Sequence, residues 1–281
     1  MTLTELLATD VPRSAPLGRL LGSELRWVLR RPRTLVLLGV FALIPVLIAI
    51  GVAVGDRSAP GLIGAIAGNG LVLPIAALSA ALFLLLPLTV SMSAADALAG
   101  ESAHGTLRGL LLAPVGRIRL VVVKSVGVLA VAVAAVALIS VVGVATGMVI
   151  VGGNGDGVLT LSGSTLSTWP ALGRVAIAAA WTVVQLAAIG AIALAVSSVT
   201  EHPLVVLAVT VGGLIVTTVL LVIPALGWLH PVLLPTGWPA ITDVLRDPVP
   251  WDELLTSAYR AACYLVIGVS LTLARMTTRD A

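Results

Sequence analysis

The side chains able to do chemistry are gathered in one stretch, 96–124, which reads DALAGESAHGTLRGLLLAPVGRIRLVVVK. It holds two carboxylates (Asp96, Glu101), one imidazole (His104), three guanidinium groups (Arg108, Arg117, Arg119) and the only lysine of the sequence, Lys124. Groups of this kind can pair with each other, dock on a charged partner, move a proton or help to hold a metal. The rest of the sequence narrows that choice. His202 and His230 fall in different loops and no HExxH is present, so a zinc site is not expected. The single cysteine, Cys263, excludes an internal disulfide framework and a cysteine-based metal site. No GxxxxGK[ST] sequence exists to cradle a nucleotide, and no nucleophile-elbow motif supports a hydrolase. The chain is therefore expected not to be an enzyme and to carry no cofactor or metal of its own. Pairing and docking remain.

The surroundings of the stretch fix where such docking takes place. Of the 281 residues, 59% are hydrophobic and 10% charged, and the mean hydropathy is +1.14. Soluble domains carry about 25% charge, so a soluble fold is excluded, and the composition defines an all-α polytopic membrane protein. Six uncharged or nearly uncharged runs are long enough to cross a bilayer: 34–54, 71–95, 120–151, 171–198, 204–223 and 254–274. The sixth holds only 14 residues between Arg260 and Arg275, so it crosses if Arg260 snorkels to the outer headgroups, with Trp251 and Tyr259 as anchors. With both termini inside, twelve of the sixteen Lys and Arg are cytoplasmic and four (Arg57, Arg174, Arg246, Arg260) are outside. That distribution supports N-in, C-in, with the polar stretch on the cytoplasmic face of a cytoplasmic membrane.

Before the first run, residues 1–14 read as a flexible tail. Residues 15–33 mix Leu17, Leu20, Leu21, Trp27 and Leu29 with Arg19, Arg26, Arg30, Arg31 and Arg33, the pattern of an amphipathic helix lying in the headgroup layer. The first run starts late and is long, so it reads as a retained anchor and not a cleaved signal. Pro45, Pro74 and Pro87 inside the runs can kink their helices. Gln185, the most polar mid-run side chain, reads as an interhelical hydrogen-bonding residue. The segment 224–251, with Pro224, Pro231, Pro235, Pro239, Trp228 and Trp238, suggests short helices dipping back into the outer leaflet. A stand-alone secondary carrier and a non-transport scaffold share this hydropathy. The carrier is disfavoured because no internal repeat and no mid-depth charge is visible.

Within the polar stretch, Gly105 frees the backbone for a turn and Thr106 can cap a short helix. Leu107, Leu110 and Leu111 share one face, and Pro114 stops the helix. The blocks Ala99-Gly100-Glu101, Gly105-Thr106-Leu107, Leu110-Leu111, Pro114-Val115 and Arg117, followed by Lys124, resemble the signature between the second and third helices of type-2 ABC exporter permeases. The turn SSVTEHPLVVLAV and the C-terminal third, from HPVLLPTGWPAITDVLRDPVPWDELL to ARMTTRDA, are also similar to that family, and the resemblance spans 15–281.

The resemblance implies a transmembrane domain over 34–281 and a connecting helix over 15–33, with Glu24, Trp27, Arg30 and Arg31 as its contact residues. It implies a cytoplasmic coupling helix near 100–117, built from Gly100, Glu101, His104, Gly105, Thr106, Leu107, Arg108, Leu110, Leu111, Pro114 and Arg117. Arg108 and Arg117 are candidates to pair with acids on the partner. It implies an outer gate within the re-entrant loop 224–251, formed by Trp228, His230, Pro231, Pro235 and Trp238. The partners it implies are two ABC ATPase subunits, which bind the ATP and Mg, a second permease copy or a sister permease, and the lipid bilayer; nucleic acid is not among them. The substrate expected of apolar walls is amphipathic or hydrophobic: a drug, lipid or peptide-like molecule, moved outward. Ala103 stands where the family commonly has a second acid, so Glu101 is expected to act alone.

Overall fold

The computed structural model describes residues 17–55, 62–103, 116–152, 158–159 and 165–278. Of the residues singled out above, His104, Gly105, Thr106, Leu107, Arg108, Leu110, Leu111, Pro114 and Val115 lie outside them, as do the tail 1–14 and Arg57.

Among the described residues, five helices are long and apolar enough to cross a membrane: Pro32–Val54, Arg117–Val151, Thr168–Val199, Pro203–Leu221 and Trp251–Thr278. Gly70–Leu82 and Leu85–Gly100, which meet at an angle of 56°, are together the sixth candidate span. These are, in chain order, the first, third, fourth, fifth, sixth and second spans. The apolar runs explain them directly, since in lipid a backbone must satisfy its own polar groups and an uninterrupted helix does so. Pro32 and Pro203 each open a helix within its first turn, where the missing amide hydrogen costs nothing. Hydroxyls inside the spans bond to the carbonyl one turn back, as Ser140 does to Val136 and Thr182 to Ala178. Between the third and fourth spans, Val158–Leu159 pairs antiparallel with Thr165–Leu166.

The proline readings divide. The first span runs unbroken through Pro45. In the second span, Leu84 leaves helical geometry at φ −145° and ψ −49°. Pro87 explains the site of the break, because the carbonyl four residues before it, that of Phe83, has no helical donor.

Packing centres on the second, third and fourth spans. Ser197 of the fourth meets Ala95 and Ala99 of the second, and a side chain placed on Gly190 would meet Val90. The two spans therefore run side by side in the same direction. The sixth span lies close against the fourth. A Cβ on Gly268 would come within 2.6 Å of the Ala191 backbone, so the approach requires glycine. Trp181 locks the same pair, its indole N–H donating to the Leu254 carbonyl and to Ser257 Oγ.

The sixth span is one continuous helix, Trp251–Thr278, and Arg260 is engaged within the chain. Its Nη1 donates to the Leu233 carbonyl at 3.0 Å, so the outer segment supplies the acceptor.

Candidate functional site

The site is assembled where the N-terminal helix, Leu17–Leu29, lies against the start of the third span. Its inner face is not made of leucines alone. Leu21, Glu24, Leu25, Val28 and Arg31 turn inward at helical spacing, while Trp27 is 46% exposed on the flank. Gly127 of the third span allows the approach, since a Cβ there would sit 3.3 Å from Glu24 Cγ and 3.6 Å from Val28.

Lys124, 4% exposed, is the hub. Its ammonium donates to Glu24 Oε1 at 3.0 Å and to Glu101 Oε1. One cation thus joins the N-terminal helix, the end of the second span and the third span. A second link runs parallel to it: Arg31 Nη1 donates to Asp96 Oδ2 at 3.0 Å, with Arg33 at 3.9 Å from the same oxygen. Trp27 is placed between the two links. The Arg31 guanidinium stacks 3.4 Å above its ring centroid and Lys124 Nζ lies 5.4 Å away, both within cation–π range.

The turn presenting Asp96 and Glu101 is itself shaped. Asp96–Gly100 winds as a π-helical turn between two α-helical segments, a geometry frequent at functional sites. Ser197 of the fourth span holds it, accepting from the Ala99 amide at 2.9 Å and donating to the Ala95 carbonyl at 3.4 Å.

Glu101 was expected to act alone; it does not. The second acid comes from Glu24 on the N-terminal helix, not from the position two residues on. Arg117 is also engaged within the chain. Its Nη1 donates to the carbonyls of Met276 and Thr277, at the C-terminal end of the sixth span, where a cation meets the negative end of the helix dipole. Gly100 closes the π turn. Arg30 is exposed beyond the helix end. Sequence reasoning singled out Glu24, Trp27, Arg31 and Glu101 as contact residues, and named Lys124 and Asp96 in the polar stretch without giving either a contact role. Lys124 as the only lysine of the sequence, sitting inside an apolar run, was the available signal.

Burial shifts the site's ionisation. Desolvation raises the Glu101 carboxyl above the usual carboxylate range, and the Lys124 hydrogen bond and charge oppose this without cancelling it. Desolvation likewise lowers Arg31, opposed chiefly by Asp96. Because the folded chain binds the Glu101 proton more tightly, that contribution to stability is present at acid pH and is lost as pH rises through the raised value. In infrared difference spectra of wild type against Glu101→Gln, the protonated carboxyl band should vanish at higher pH than that of the exposed carboxylates. A band that titrates with the exposed acids would contradict the burial.

The outer residues separate into two groups. Leu234–Leu245 forms a 3-10 helix whose inner side is buried. Trp238 is 2% exposed and packs edge-on to Phe83, with ring centroids 6.0 Å apart. Pro235 is buried with it, whereas Trp228 is 75% exposed and Pro231 is exposed. His230 is half-buried, and its carbonyl accepts from Thr236. The Tyr264 hydroxyl donates to the Val232 carbonyl at 3.0 Å. Tyr264 is 13 residues into the helix that starts at Trp251, so the segment reaches about 20 Å along the sixth span at 1.5 Å per residue. Arg174 pins its far end, donating to the carbonyls of Val244 and Arg246 and pairing with Asp247.

Gln185 is 0% exposed, and among the described residues neither of its amide atoms has a hydrogen-bond partner. It is not the interhelical bond the sequence suggested. The offset set by Gly190 and Ser197 places it level with Leu85, beside the break in the second span.

These features define an all-α, multi-pass membrane protein in which a charged latch ties an N-terminal helix to the segment joining two spans. A family model described as "ABC-2 family transporter protein" matches residues 19–247, and the chain belongs to this family, the membrane permeases of ABC transporters. A permease of this family is a membrane subunit that associates with an ABC ATPase subunit, and this sequence has no nucleotide-binding motif of its own. Comparison with curated proteins returned no match.

Proposed function

We propose that the chain is the permease of an ATP-driven exporter in the cytoplasmic membrane, with both termini inside. Two permeases, identical or sister chains, work with two ATPase subunits, which bind ATP and Mg. The cargo is an amphipathic or hydrophobic molecule such as a drug, lipid or peptide-like compound, moved outward.

The latch is the observation that carries this reading. Glu24 and Glu101 on one buried ammonium, with Arg31 on Asp96, join the N-terminal helix to the loop between the second and third spans. A partner pushing on that loop then moves the N-terminal helix and the third span with it, as coupling between two sites requires. The segment from Gly100 to Arg117 is the coupling element. Support for a second permease comes from the fifth span, where only Val206 and Thr210 are buried in the single chain. The outer segment around Trp238 serves as the extracellular gate. Its seat on Phe83, at the break in the second span, joins gate and bend.

The test is to purify the chain in detergent from its native membrane and assay ATPase activity, with and without Glu101→Ala and Leu107→Asp. An ATPase subunit should co-purify, and the substitutions should release or uncouple it. Absence of an ATPase, or unchanged activity in both variants, would return the chain to a stand-alone carrier or scaffold.

A further inference from the structure

The N-terminal helix carries a second feature, which shares Trp27 and Arg31 with the latch. Ser23, Arg26, Trp27, Arg30, Arg31 and Pro32 line an open groove of about 460 Å³. Three of the six are arginines and none is acidic. Arg26 and Arg30 are exposed, and among the described residues neither has an ion-pair partner. Such a groove selects an anion, and guanidinium groups favour the forked oxygens of a phosphate.

Its position says where the anion comes from. Pro32 lines the groove and opens the first span. One turn on, at the spacing that shares a helix face, Leu35 and Val36 are exposed, and Val40, Leu43 and Leu47 continue the exposed apolar stripe. A basic groove running into an apolar stripe matches a molecule with a phosphate at one end and hydrocarbon at the other. The half-exposed Trp27 in the wall suits the headgroup layer.

We infer that this groove is a binding site for the phosphate headgroup of an anionic phospholipid, held by Arg26, Arg30 and Arg31. Arg31 also donates to Asp96, so the lipid site and the latch share a residue. The proposal rests on the helix lying at a headgroup layer but not on the direction of transport or on any ATPase.

The test places the full chain in nanodiscs of phosphatidylcholine, which present the same lipid on both faces and so do not depend on orientation. Quenching of Trp27, isolated as the difference between wild type and Trp27→Phe, is followed with phosphatidylglycerol or phosphatidylcholine spin-labelled near the headgroup. A preference for phosphatidylglycerol is expected. It should fall about five-fold for each of Arg26→Gln and Arg30→Gln and survive Arg19→Gln, which lies outside the groove. Both arginines are exposed, so the variants should keep the wild-type circular dichroism. Equal quenching by the two lipids, or a preference that survives the double variant, would overturn the site. Displacement of the labelled lipid by inorganic phosphate at physiological salt would assign the groove to free phosphate and overturn the lipid reading. Loss of ATPase association in the double variant, with no lipid preference in wild type, would make the groove a protein-docking surface instead.

Discussion

Lys124→Met is expected to destabilise the chain by about 3–5 kcal/mol, the cost of removing one partner from a buried ionic cluster. The methionine fills the space of the lysine stem, so the loss is not one of packing. It comes from Glu24 and Glu101, which share the Lys124 ammonium and would face each other without it. Like charges so placed disfavour each other's ionised forms. The triple variant Lys124→Met, Glu24→Gln, Glu101→Gln should recover most of the stability, because no buried charge is left uncompensated. It should not recover coupling, because the third span has lost its ionic tie and only the Arg31–Asp96 pair still joins the other two elements. Thermal unfolding of the purified chain separates the first effect, and ATPase stimulation in the reconstituted complex the second. A single variant as stable as wild type would show that the cluster is solvated and not a latch. Coupling in the triple variant would show that packing alone transmits.

Trp238→Ala is the other large effect. Truncating a fully buried aromatic costs about 3–5 kcal/mol, and the edge-on pair with Phe83 contributes about 0.5–1.5 kcal/mol beyond area burial. Trp228→Ala, ten residues earlier in the same segment, should change stability by less than about 0.5 kcal/mol because that ring is exposed. Thermal unfolding in detergent distinguishes them. Equal losses would mean that the outer segment does not sit where Phe83 receives it. If the segment is the gate, Trp238→Ala should also raise substrate leak through the complex without ATP, while Trp228→Ala should not.

The two tryptophans show where sequence reading stops. Both lie among prolines and leucines, and composition gave them the same role. Only the path of the chain decides that one meets Phe83 and the other water or lipid. The six crossings were legible because each is a local property of about twenty residues. Their ends moved by a few positions, as with the third span starting at Arg117 and not Leu120. The break in the second span was half legible. Pro87 marks it, but the equally suspicious Pro45 sits in an unbroken helix. Tertiary pairing was not legible. Glu24 and Lys124 are 100 residues apart and Arg31 and Asp96 are 65 apart, and no local pattern couples positions at that range. Arg260 illustrates the same limit. Nothing local to a cation nine residues into a crossing helix shows that the Leu233 carbonyl will receive it.

The order of synthesis gives the latch a further meaning. Glu24 emerges first, Glu101 next and Lys124 last, only as the third crossing is made. Until then two acids wait at the membrane surface without their cation. A nascent chain stalled after two crossings therefore carries a charge defect at a fixed place, and the defect is erased when the third helix inserts in the right direction. An inverted third helix would strand Lys124 on the opposite face. The cluster is therefore complete only when the third helix has inserted in the direction that returns Lys124 to the face of Glu24 and Glu101.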